Sequence, residues 1–113
     1  MSYFLLTCIN RAFVKLSQSD GFKAEEIDIL IGKTITINPT NFLKAYRKNR
    51  ATVTRLDALV GNLGPELVDN FPRQAIEIQK RINSLKTVKS QQLKSLATEC
   101  IEQLEKELKV INH

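Results

Sequence analysis

The apolar residues from Leu93 to Ile111 recur at steps of three and four: Leu93, Leu96, Ala97, Cys100, Ile101, Leu104, Leu108 and Ile111. A residue every ~100° returns to the same side of a helix after such steps, so they share one face. Most of the chain repeats the pattern. Phe4, Leu5, Cys8, Ile9, Ala12, Phe13 and Leu16 share a face over residues 2–17, with Arg11 and Lys15 outside and Ser2 as N-cap. A second helix starts near Lys23, carries Glu25 and Glu26 in its first turn, turns Ile27, Leu30 and Ile31 inward and closes at Gly32. Asn38 as N-cap and Pro39 at N1 open a third, long helix that ends near Asn62, ahead of Gly64 and Pro65. Glu66 to Asn70 forms one turn, and Ala75, Ile78, Ile82 and Leu85 face inward on a helix from Arg73 to Leu85. The last helix runs from about Ser90 to Ile111, with residues 86–89 a loop or a bend.

One segment breaks the period. Thr34-Ile-Thr-Ile-Asn38 alternates and is β-branched, a strand signal with no partner run elsewhere, and reads as an extended connector that packs Ile35 and Ile37 onto the core. The expected fold is all-α, a single domain over residues 1–113 built as a compact bundle of about five helices with that connector at 34–38.

The long third helix is also where the charge concentrates. Asn41 to Leu56 contains Lys44, Arg47, Lys48, Arg50 and Arg55 and no Asp or Glu. On one continuous helix Phe42, Ala45, Tyr46, Val53, Leu56, Val60 and Leu63 make the core arc, Lys44, Arg47, Lys48 and Arg55 cluster opposite it, and Arg50 stands apart. The chain's net charge of +5 is uneven: residues 42–55 and 73–94 each net +5, while 20–28 net −3 and 99–109 net −2. A second basic patch is expected from Arg73, Lys80, Arg81, Lys86, Lys89 and Lys94. Arginine suits phosphate geometry better than lysine. Few aromatics are placed to stack on bases, since Tyr46 belongs to the core arc, so the chemistry suits backbone tracking rather than base readout. The bland alternative is a solvated helix face.

Other chemistry is sparse. The one histidine is His113, the last residue, so no Ser–His or Cys–His pair can be assembled inside the fold. Glu25-Glu26-Ile-Asp28 reads as a solvated helical turn, Gly61-Asn-Leu-Gly64 as a helix stop, and Gly32-Lys33-Thr34 lacks the first glycine and the strand of a phosphate-binding loop. No catalytic residue, metal site or cofactor is expected. Cys8 and Cys100 sit in apolar contexts without a CxxC spacing and read as small core residues of a reduced, intracellular protein. Tyr3 to Leu6 is too short for a signal peptide or a membrane span, so a cytoplasmic location is the expectation. The final helix is too short and irregular in register for a coiled-coil seam, although Leu104, Leu108 and Ile111 offer a partner surface.

A small basic helical unit that enters its first core helix directly after Met1, with its positive charge on helix faces and the stretch Ile35-Thr-Ile-Asn-Pro-Thr-Asn-Phe-Leu-Lys-Ala-Tyr-Arg47, resembles the small subunit of class 1 (type I) CRISPR interference complexes. That subunit is similar to the C-terminal helical domain of the large subunit. The resemblance implies a non-catalytic RNA- and DNA-binding subunit of an antiviral ribonucleoprotein complex, present in several copies. Its basic faces would hold the phosphates of a guide–target heteroduplex or a displaced DNA strand, and base pairing would select sequence. The residues expected to make those contacts are Lys44, Arg47, Lys48, Arg50 and Arg55, then Lys80, Arg81, Lys86 and Lys89. The alternative is a helical protein–protein adaptor or homo-oligomeric scaffold. In it, Glu99, Glu102, Glu105 and Glu107 of one copy meet the basic stripe of the next.

Overall fold

Asn38 ends one helix and begins another. Its backbone N–H donates to Thr34 O at 2.8 Å, closing the helix before it. Its side-chain Oδ1 accepts from Asn41 N at 3.0 Å, capping the helix after it, which has Pro39 in its first turn. The computed structural model describes residues 2–112, with side chains from Phe4 onward. The helices are α1 (Ser2–Ser17), α2 (Gly21–Ile37), α3 (Pro39–Asn49), α4 (Leu56–Gly61), α5 (Phe71–Lys86) and α6 (Lys94–Ile111). Single 3₁₀ turns lie at Arg50–Thr52, Pro65–Leu67 and Gln91–Leu93. Among the described residues there is no strand, and the fold is an all-α bundle. The Ser2 side chain, the Tyr3 side chain and His113 lie outside what is described.

α3 runs through the middle. It packs against α1 and α2, and more lightly against α5, α6 and the Gln91–Leu93 turn. α5 pairs with α6, and α4 bridges α2 to α6. Phe42, Leu43 and Ala45 of α3 are wholly buried, together with Phe13, Ile35, Leu59 and Leu104 from four other helices. Burying each large apolar side chain contributes roughly 1.5–3 kcal/mol, which is why one short polar-looking helix can organise the whole core.

The alternating segment is helical, not extended. α2 runs unbroken to Ile37. Thr34 Oγ1 donates to Ile31 O at 2.6 Å, so the β-branched residue finds a partner inside the helix. β-branching disfavours a helix by about 0.7 kcal/mol per residue at most, less than the ~1.5–3 kcal/mol from fully burying Ile35. Ile37 does not reach the core and is 69% exposed. Gly32 is not a helix end either. It lies inside α2 where α4 crosses, and a Cβ there would stand 2.6 Å from Leu59 O. α2 begins at Gly21, which leaves Glu25 and Glu26 beyond its first turn, and Leu30 points outward.

The long basic helix is two helices. α3 ends at Asn49, and Val53, at φ −83° and ψ 112°, is extended before α4 restarts at Leu56. Two side chains take over backbone groups at the break. Asn49 Nδ2 donates to Ala45 O at 2.8 Å, and Thr52 Oγ1 donates to Asn49 O at 2.8 Å. The β-branched run Thr52-Val53-Thr54 adds to the preference for leaving the helix. Gly64, at φ +100°, makes the left-handed turn after α4. Residues 87–90 are a loop anchored by buried Val88. Cys100 is buried, but Cys8 is exposed, and Phe4 is 73% exposed instead of packed on the α1 core face.

Candidate nucleic-acid interface

α3 is buried around most of its circumference. Asn41, Phe42, Leu43, Ala45 and Tyr46 are inside, and the exposed remainder of the helix is Lys44, Arg47 and Lys48. At 100° per residue those three span about 100° of arc, and no other side chain of α3 is exposed. The cations are therefore set by the core: every fully exposed position of α3 is positive, and only Pro39, Thr40 and Asn49 are half-buried. None of the three has a carboxylate partner among the described residues. Arg47 Nη1 donates to Gln92 Oε1 at 3.2 Å, which orients the guanidinium without neutralising it. Lys44 to Lys48 spans about 6 Å of rise, a contact length of two phosphates rather than the ~16 Å of an unbroken helix.

The other expected cations separate into different environments. Arg50, in the 3₁₀ turn after α3, donates from Nη2 to Glu99 Oε2 at 2.6 Å. Tyr46 OH donates to the other oxygen of the same carboxylate. Arg50 and then Tyr46 hold the Glu99 carboxyl below its ordinary range, while burial, then the bond to Glu99, pushes the Tyr46 hydroxyl up. Arg55 is bound to Asp57 at 2.8 Å, and Lys80 to Glu77 at 3.3 Å. Lys86 and Lys89 are exposed, at the end of α5 and in the loop leading to the Gln91–Leu93 turn. Beside α3 a shallow recess of about 580 Å³ is lined by Arg47, Lys48, Arg50, Tyr46 and Glu99.

Arg81 does not belong to any basic surface. It is 4% exposed, and its Nη1 donates to Val60 O in the last turn of α4. Burial lowers its pKa to about 10. The guanidinium closes the C-terminal end of α4, where carbonyls lack helical partners and the dipole favours a cation. A helical wheel carries a weak signal for this, since Arg81 falls about 60° from Ile78 and 40° from Leu85, just beyond the edge of the apolar arc of α5.

The Cys100 thiol is pushed up to about 12 by burial. Among the described residues no group of His, Cys, Asp and Glu could hold a metal ion, and no helix is long and apolar enough to cross a membrane. Leu104 lies in the core, so the outward apolar residue at the end of α6 is Val110. No protein-family model, curated protein or solved structure matches the chain.

Proposed function

We propose that this protein is a non-catalytic nucleic-acid-binding subunit of a ribonucleoprotein assembly, holding phosphates through α3. One observation carries the reading: the whole exposed arc of α3 is Lys44, Arg47 and Lys48, with no carboxylate opposite among the described residues. Three unneutralised cations on a helix seated in the core are a fixed electrostatic surface, and phosphate contacts of this kind give affinity with little sequence preference. Lys86 and Lys89, exposed in the stretch that leads to the Gln91–Leu93 turn packed on α3, are further candidates for contact. Arg50 borders it, while its charge is shared with Glu99. If the resemblance to the CRISPR small subunit holds, the polymer would be a guide–target heteroduplex or a displaced strand, in a cytoplasmic complex.

The test is a fluorescence titration of labelled RNA and DNA at rising salt, with wild type and a Lys44→Glu/Arg47→Glu/Lys48→Glu variant. Binding whose logarithm falls linearly with log salt, lost in the variant, supports the proposal. Unchanged affinity in the variant overturns it.

A second reading, the protein–protein adaptor or homo-oligomeric scaffold, rests on a different face. Phe22, Leu30 and Ile37 are 78%, 62% and 69% exposed and lie within about 80° of one another on α2. Such an unpartnered apolar stripe suits a protein neighbour. The acidic half of the head-to-tail version is weakened, because Glu99 is already held by Arg50 and Tyr46. Light scattering at low and high salt separates the readings: a monomer at both salts counts against the scaffold.

A further inference from the structure

α1 shares the property that marks α3. Between Ser2 and Ser17 there is no Asp or Glu, and its charges are Arg11 and Lys15, both exposed. The two helices are packed neighbours, joined by a hydrogen bond of 3.1 Å from Asn49 Nδ2 to Asn10 Oδ1. Ile9 and Phe13 face the core. The exposed arc of α1 then runs through Val14, Arg11, Phe4, Lys15 and Cys8, and its near edge adjoins α3 on the side that holds Asn10. The exposed arcs of α1 and α3 are therefore continuous across the seam between them. On the other flank of α3, Arg47 meets Gln92, and exposed Lys89 and Lys94 border that turn. Residues 78–98, like the segments forming α1 and α3, contain no acid.

The shape of this cation field says more than its charge. Neighbouring helix axes pack about 8–10 Å apart, and the Arg11/Lys15 row and the Lys44/Arg47/Lys48 row stand on two such neighbours. A single strand presents one line of phosphates and is bound by a groove with stacking aromatics. Of the large side chains on this field only Phe4 is aromatic and exposed. A duplex presents two lines of phosphates across a groove about 6 or 12 Å wide. Cation rows on two adjoining helices give each of two backbones its own set of contacts.

Resting on the proposal that this protein holds phosphates, we infer that α1 is the second wall of the interface and that the polymer is double-stranded. Arg11 and Lys15 contact one backbone while Lys44, Arg47 and Lys48 contact the other.

Cys8 makes this testable without changing the surface, because it is exposed on α1 whereas Cys100 is buried and resists labelling. Wild-type protein carrying a maleimide photocrosslinker on Cys8 is irradiated with a DNA duplex, an RNA–DNA hybrid and each single strand of the same length. Alongside, an Arg11→Glu/Lys15→Glu variant is titrated, its fold checked by circular dichroism. Expected are crosslinks from Cys8 to a duplex form, duplex affinity at least tenfold above single-strand affinity, and a tenfold or greater loss of it in the variant, with the salt slope reduced by about 2. No crosslink and unchanged duplex affinity, in a protein whose binding still depends on Lys44, Arg47 and Lys48, overturns the role of α1 and leaves the phosphate reading standing. Tighter binding to a single strand overturns the duplex assignment. Absence of binding to every polymer overturns both proposals.

Discussion

Lys44, Arg47 and Lys48 differ from Arg50 and Arg55 in what stands opposite them. All five belong to one acid-free run of sequence. The first three face outward from a helix whose remaining circumference is core. The other two sit past the end of that helix, where the chain turns and meets Glu99 and Asp57. A charge run in sequence is thus not a charge surface in space. The helix end decides which cations remain unpaired and which are taken up by a carboxylate of the chain itself.

The largest effect expected is on binding. Reversing Lys44, Arg47 and Lys48 together lowers nucleic-acid affinity by more than about 100-fold and cuts the salt slope by roughly 2–3, with melting little changed because all three are exposed. An Arg50→Gln/Arg55→Gln variant loses far less affinity, and equal losses in the two variants would erase the distinction. Next comes Arg81→Ala, which leaves Val60 O unpaired and a hole beside α4, costing about 2–4 kcal/mol by denaturant unfolding. An intact protein with weakened binding would return Arg81 to the surface. Glu99→Gln follows, at about 1 kcal/mol after allowing for solvent at this half-exposed carboxylate. Its pH dependence has a sign. The folded carboxyl is held below its ordinary value of 4.5, so its stabilisation is complete above that pH and fades as pH falls through the lower folded value. The melting temperatures of wild type and Glu99→Gln should converge in acid, and a gap that persists there removes the Arg50–Tyr46–Glu99 cluster as its cause. Smallest is Lys80→Ala, within about 0.5 kcal/mol of wild type, against the large effect of its neighbour Arg81.

The same contrast explains how much the sequence disclosed. The faces of α5 and α6 were legible because Ile78, Ile82, Leu85, Leu93, Leu96 and Cys100 follow a clean period, and the Asn38–Pro39 start was legible because its cap is local chemistry. The helicity of Thr34 to Ile37 was not, since it depends on the burial of Ile35 by residues distant in sequence. The break after Asn49 had a signal in Thr52-Val53-Thr54, outweighed by a hydrophobic period that ran on through Leu56 and Val60. The cations of α3 were placed correctly opposite Phe42 and Tyr46, whereas the partners of Arg50 and Arg55 depend on where the turn sends them. The wheel puts Arg11 and Lys15 on the outer face of α1, but nothing local says that α1 lies beside α3.

The junction at Asn38 sets the phase of everything after it. With one residue serving both helices there is no slack between α2 and α3. Inserting a single residue there would turn α3 by about 100° about its own axis, carrying Lys44 into the buried place of Ala45 and rolling Leu43 and Tyr46 into the exposed places of Lys44 and Arg47. Chain length at this point is thus constrained as tightly as any buried side chain, and insertions compatible with the fold belong instead in the loops at residues 62–70 and 87–90.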